Sequence, residues 1–170
     1  MTGDLWRRAS AASARWHAGQ RRRDGKTPYV SHCFRVAMTV RHTFECDDEA
    51  CLAIALLHDV IEDTPADYDD VLEGFGREVA DGVAALTKDM RLEKDLREPA
   101  YDAQIEAASW RAKLVKLADT VDNLLDSSRP TGSGIDKCRR AIEIAGRHPG
   151  GDLEAAVRRT EQILTGATGG

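Results

Sequence analysis

The sequence predicts an all-α protein, and three observations carry that expectation. Apolar residues recur at helical spacing in one stretch after another. The composition favours helix: 170 residues include only 5 prolines and 5% aromatics, with many Ala and Leu. No stretch alternates apolar and polar residues for long enough to suggest a strand of any length. At this length one domain with a proper core is the simplest organisation, expected over residues 1–165, with a disordered tail at 166–170.

The elements follow in order. The first helix is expected from about Asp4 to Gln20, with Leu5, Ala9, Ala12 and Trp16 as its core stripe. A loop with four basic residues in six positions follows, Arg21-Arg22-Arg23-Asp24-Gly25-Lys26, turned by Gly25 and Pro28. Ser31 can cap a second helix running from His32 to about Phe44. Asp47 or Asp48 can cap a third, whose run Ala50-Cys51-Leu52-Ala53-Ile54-Ala55-Leu56-Leu57 has no polar face and should be buried all round. That helix should stop before Pro65. Short helices are expected at Ala66–Phe75 and Glu78–Leu86. The charged, unpatterned stretch Arg91–Pro99 reads as a mobile loop and a candidate lid. A long helix should then run from Ala100 to about Ser127, a break should fall at Pro130–Gly134, and two packing helices should close the chain at Ile135–Ala145 and Asp152–Leu164.

The totals exclude several classes. A net charge of −5 implies no general affinity for nucleic acid. No apolar run is long enough to span a bilayer. Cys33, Cys46, Cys51 and Cys138 form no Cys-x-x-Cys pair, and no signal peptide is evident, so reduced buried thiols in a cytoplasmic protein are expected.

Chemistry gathers at the end of the third helix, in His58-Asp59-Val60-Ile61-Glu62-Asp63-Thr64. Four ionisable groups at the mouth of a buried helix are costly unless paired, and a divalent cation is a fitting partner for imidazole and carboxylate. On a continuous helix, His58 and Glu62 would stack one turn apart, as would Asp59 and Asp63. A charged helix end facing solvent fits the same string. The basic loop, with Arg22, Arg23 and Lys26 as candidate contacts, is what a polyphosphate substrate would need beside an acidic metal site, because Arg clamps phosphate oxygens bidentately. Taken alone, it reads first as a solubilising loop. In the long helix, Asp119, Asp122, Asn123 and Asp126 share an arc without basic relief, as either a solvated face or a cation site.

Together His32, His58-Asp59 and Asp119 resemble the H…HD…D signature of HD metal-dependent phosphohydrolases, with 26 residues from His32 to His58 and 60 from Asp59 to Asp119. The strings His17-Ala18-Gly19-Gln20-x-Arg22-Arg23-x-Gly25, Pro28-Tyr29-Val30-x-His32, Ala55 to Thr64 and Lys116-Leu117-Ala118-Asp119-x-x-x-Asn123 resemble the hydrolase domain of the RelA/SpoT family. Phe75-Gly76-x-x-Val79-Ala80 and Thr87-Lys88 also fit, so the resemblance covers roughly residues 5 to 130.

The resemblance implies an all-α HD-domain helical bundle, a preference for Mn²⁺, and removal of the 3′-pyrophosphate from the alarmone (p)ppGpp by a stand-alone small hydrolase. It implies His32, His58, Asp59 and Asp119 as metal ligands, and Glu62 and Asp63 as the catalytic pair that orients and activates water. Arg22 and Arg23 would face the nucleotide, with Asn123 by the nucleoside. Such a site takes a purine nucleotide as partner, with the protein a monomer or dimer. The chain departs from the family pattern at Asp24, at Cys33, and at Asp122 and Asp126. The last two are expected to add negative charge near the nucleoside end, where a carboxylate can accept from an exocyclic amine of guanine or adenine. That leaves (p)ppApp, NADPH or a nucleoside monophosphate as alternative substrates, and a non-catalytic nucleotide-binding protein as an alternative role.

Overall fold

A computed structural model describes residues 4–126, 132–147 and 150–169. Among these residues the protein is all helix: α1 Leu5–Trp16, α2 Val30–Met38, α3 Glu49–Leu57, α4 Val60–Asp63, α5 Tyr68–Phe75, α6 Arg77–Leu86, α7 Lys94–Ala107, α8 Trp110–Leu125, α9 Gly132–Gly146 and α10 Gly151–Thr168. The one β feature among them is an isolated bridge between Arg21 and Pro28 that closes the basic loop. No described helix is long and apolar enough to cross a membrane.

The core is built around α3. Cys51, Ala53, Ile54, Ala55 and Leu57 are fully enclosed and Leu56 nearly so, as a helix without a polar face requires. Packed against them are Ala9 and Ala12 of α1, Val36 and Ala37 of α2, Val79 and Val83 of α6, and Leu114, Val115 and Leu117 of α8. Asp48 caps α3 by accepting from the Cys51 amide at 2.8 Å and is gripped through both oxygens by Arg111 at 2.7 Å. Gly82 lets α6 lie against α3: a Cβ there would sit 2.4 Å from Ile54 Cδ1.

Several boundaries depart from the sequence expectation. The first helix ends at Trp16, and Gly19, at φ +83°, takes the left-handed turn into the loop. The second helix begins at Val30, with Ser31 inside its first turn: its amide bonds to Pro28 O, and that of His32 to Tyr29 O. A π-helical turn at Thr39–Thr43 finishes it. The expected mobile loop Arg91–Pro99 is largely the start of α7, with Pro99 inside the helix. Tertiary anchors outweigh the missing amide: Tyr101 donates to Leu86 O at 3.0 Å, Gln104 donates to Thr87 O at 2.8 Å, and Ile105 is buried.

The long helix expected from Ala100 is two helices. Ala108 and Ser109 are extended between α7 and α8, and Ser109 caps α8 by accepting from the Ala112 amide. Its expected end at Ser127, and Pro130 and Thr131 of the expected break, lie outside the described residues, while Gly132–Gly134 open α9. The tail expected to be disordered instead continues α10 to Thr168. Ala167 packs with Leu124, Cys138 and Leu164, and the Thr168 hydroxyl donates to Leu164 O at 2.9 Å. Gly170 lies outside the described residues.

Candidate metal centre

His58 and Asp59 occupy the junction between α3 and α4. The helix is interrupted there, so His58 and Glu62 are not stacked on one continuous helix, as the sequence had suggested. Asp59 and Asp63 keep their one-turn relation through an Asp63 amide bond to Asp59 O. The interruption turns Glu62 aside, where its carboxylate accepts the Lys88 amide at 2.8 Å.

Four side chains from three helical regions converge. His32 Nε2 lies 3.2 Å from His58 Nε2, 3.5 Å from Asp59 Oδ2 and 3.3 Å from Asp119 Oδ1. His58 Nε2 lies 3.0 Å from Asp59 Oδ2 and 3.9 Å from Asp119 Oδ1. Both histidines are buried. His58 Nδ1 must donate to Ala55 O, at 2.8 Å, because a carbonyl only accepts. His32 Nδ1 donates to Asp122 Oδ2 at 2.6 Å. The Nε2 atoms of both histidines and a carboxylate oxygen of Asp59 lie close enough together to hold one ion, and Asp119 Oδ1 lies within 3.9 Å of both Nε2 atoms. The donor set fits a mid-row divalent ion.

The electrostatics agree. Burial pulls the His32 pKa down, but hydrogen bonds to Asp119 and Asp122 outweigh it and raise it to about 9. Burial also opposes the charged form of His58, and Asp59 and Asp119 raise its pKa nonetheless. Asp119 resists burial because Lys116, His32 and His58 surround it, which holds its carboxyl well below the usual range. Lys116 Nζ reaches Asp119 Oδ2 at 2.8 Å. Glu62 goes the other way: burial, then the charges of Asp59 and Asp63, raise its pKa, and the Lys88 amide only partly opposes them.

A cleft of about 690 Å³ opens over this cluster, within the range of small-molecule and cofactor sites. Glu62 and Asp63 line it, as do Arg22, Arg23 and Asn123. Lys26 does not; it is exposed, and its amide serves the loop turn by donating to Asp24 Oδ1 at 2.9 Å. Asp24 also accepts from the Thr27 amide and hydroxyl, so this departure shapes the turn that carries the basic pair. Cys33, the second departure from the family pattern, is fully buried. Asn123 Nδ2 donates to Asp119 Oδ1 at 2.6 Å.

Asp122 and Asp126 do not stand as free negative charge at a nucleoside end. Asp122 is buried and takes His32 on one oxygen and Arg35 Nε on the other at 2.6 Å. Asp126 accepts from Arg22 Nη2 at 2.7 Å and pairs with Arg35 Nη2 at 3.0 Å. The arc without basic relief on α8 finds its relief on α2 and the basic loop.

The sequence did not single out Tyr29, Arg35, Lys88, Tyr101 or Lys137, which also line the cleft. Tyr29 donates to Asp59 Oδ2 at 2.7 Å. Lys88 pairs with Glu98 and lies 5.0 Å from the Tyr101 ring centroid. Tyr29 and Lys88 stood inside recognisable strings, which was their only signal. Arg35 and Lys137 had none.

Comparison with known proteins places this geometry. The HD domain family model matches residues 9–142. The guanosine-3′,5′-bis(diphosphate) 3′-pyrophosphohydrolase MESH1 of Drosophila melanogaster is 42% identical over 125 residues, 73% of this chain and 70% of that protein. The bifunctional (p)ppGpp synthase/hydrolase SpoT of Escherichia coli is 41% identical over 132 residues, 73% of this chain but 18% of SpoT. A solved structure described as a metazoan ortholog of SpoT that hydrolyzes ppGpp superposes with a TM-score of 0.82 at 31% identity, covering 99% of this chain and 98% of that one. The chain thus belongs to the HD-domain family, in close kinship with the MESH1 hydrolases and the hydrolase region of SpoT.

Proposed function

We propose that the protein is a metal-dependent 3′-pyrophosphohydrolase that converts (p)ppGpp to GDP or GTP and pyrophosphate. The observation that carries this reading is the gathering of His32, His58 and Asp59, with Asp119 beside both histidines, next to an acidic pair and beneath a cleft lined by several cations. The named activities of MESH1 and of the metazoan SpoT ortholog support it.

The four residues would hold the ion, with Mn²⁺ as the preferred metal. A bound divalent ion lowers the pKa of water and polarises a phosphoryl oxygen. Glu62, whose raised pKa suits proton uptake, accepts a proton from the attacking water, and Asp63 orients that water. Water attacks the phosphorus joined to the ribose 3′-oxygen, that P–O bond breaks to release pyrophosphate, and the 3′-oxygen takes up the proton that Glu62 accepted and leaves as a hydroxyl. Arg22, Arg23, Lys88 and Lys137, which all line the cleft, balance the phosphates. Asn123 keeps Asp119 in place at the nucleoside side. The four free, buried cysteines fit a reducing, cytoplasmic setting.

The engagement of Asp122 and Asp126 removes the reason to expect a carboxylate reading the base, so the guanine substrate stands first and (p)ppApp second. A panel of ppGpp, pppGpp, ppApp, NADPH and nucleoside monophosphates, with manganese, zinc or no metal, tests the proposal by chromatography. Pyrophosphate release from ppGpp that disappears in His58→Ala is expected. Turnover of monophosphates alone would move the protein to another HD chemistry, and tight nucleotide binding without product would make it a binding protein.

A further inference from the structure

We infer that Asp122 is a positioning residue for the metal site, acting through His32 and itself held by Arg35. The inference rests on the metal reading of His32, His58, Asp59 and Asp119. His32 Nδ1 lies 2.6 Å from Asp122 Oδ2. Arg35 binds the same carboxylate from the other side, Nε to Oδ1 at 2.6 Å and Nη2 to Oδ2 at 2.9 Å. Asp122 is 6% exposed and His32 is 2% exposed, so the contact is sealed from solvent.

The geometry does three things. A hydrogen on Nδ1 leaves the Nε2 lone pair as the only donor His32 can turn to the cluster. An anionic acceptor makes the imidazole a stronger donor than a neutral one does. Arg35 supplies the countercharge that lets a buried carboxylate persist there. The two histidines are thereby unequal, because His58 Nδ1 faces only the Ala55 carbonyl. Buried and absent from the lining of the cleft, Asp122 is not placed to read a nucleobase. Arg35 also reaches Asp126, which holds Arg22. One unbroken run of contacts therefore links a cation of the substrate cleft to a metal ligand.

The test is metal binding by the full chain, not turnover. Mn²⁺ affinity is measured by calorimetry, and the ligand field is read from the visible absorption of the Co²⁺-loaded protein. Wild type and His58→Ala are the controls: wild type that binds neither ion removes the metal reading itself, and the inference with it. Given wild-type binding, Asp122→Asn should weaken Mn²⁺ by about 10-fold and Asp122→Leu by up to about 100-fold, with displaced Co²⁺ bands. Arg35→Gln should weaken Mn²⁺ a few-fold on its own and add little to Asp122→Asn, since it acts through that carboxylate. Arg35 is half-exposed, so its variant carries the test if the Asp122 variants fail to fold. Affinities within two-fold of wild type and unmoved Co²⁺ bands, with only the melting temperature changed, would show a purely structural residue and overturn the inference.

Discussion

Replacing Arg22 by Ala separates the proposed pyrophosphohydrolase from an HD enzyme that makes no use of the basic loop. In the free protein the Arg22 guanidinium is held by Asp126 at 2.7 Å, and its carbon lies 5.6 Å from the Tyr29 ring centroid. The ion pair is partly open to solvent, 15% on the Arg22 side and 38% on the Asp126 side. Such a pair contributes about 0.2–1 kcal/mol to folding. Losing Arg22 also leaves Asp126 with a cation, because Arg35 stays 3.0 Å away. The folded state should therefore lose at most about 1 kcal/mol, or a few degrees of melting temperature. The bound state loses more: a hydrogen bond to a charged group contributes about 1.5–3 kcal/mol, which is roughly a 10- to 150-fold fall in kcat/KM. Arg22→Lys should recover part of it, keeping the charge but not the planar fork. The assay is pyrophosphate release from ppGpp at fixed metal, with thermal melting of the same samples. Turnover of Arg22→Ala within two-fold of wild type would refute the reasoning, as would an activity loss fully matched by unfolding.

Glu62→Gln should abolish the acid limb of the rate profile together with most activity. Because the Glu62 pKa is raised, that limb should lie above the ordinary carboxylate value in wild type, with activity falling as pH drops through it. A carboxyl whose pKa is raised by folding destabilises the fold once ionised, so Glu62→Gln should melt higher than wild type at neutral pH while working less. Gly82→Ala should destabilise by about 1–3 kcal/mol, read by chemical denaturation, since its methyl would collide with Ile54. Unchanged stability would mean that α3 and α6 can part at little cost. Stripping divalent ions with a chelator should lower the melting temperature, because two buried histidines and two carboxylates then share one point without their cation; re-addition of manganese should restore it.

The sequence shows the centre of the molecule better than its edges. The run Ala50 to Leu57 is a helix enclosed except at Ala50 and Leu52, and the H…HD…D spacing named side chains of which His32, His58 and Asp59 gather closely, with Asp119 beside the two histidines. What a linear string hides is the partner of a charge. Asp122 and Asp126 read as surplus negative charge because Arg35 and Arg22, their actual partners, are 87 and 104 residues away. The same blindness kept Lys26 among the substrate contacts, although it does not line the cleft, and left Lys137 out. Pro99 and its charged neighbours looked like a loop because the bonds that hold α7, from Tyr101 and Gln104 to the end of α6, are tertiary. The split at Ala108–Ser109 carried one cue, a serine ahead of an apolar stripe, which does not stand out within a continuous helical pattern.

The enclosed third helix has a consequence for how this scaffold can change. The hydrolytic end is anchored in the least yielding part of the molecule: His58 follows its last residue and bonds back to Ala55. The cations proposed to meet the substrate sit instead on a surface loop, just past the end of α6 and on α9. The two ends are nevertheless tied: Gln20 holds the Asp63 carbonyl, and Arg22 reaches His32 through Asp126, Arg35 and Asp122. Reshaping the face of α9 would leave those ties in place, whereas reshaping the loop at 20–28 would pull on the histidine cluster as well.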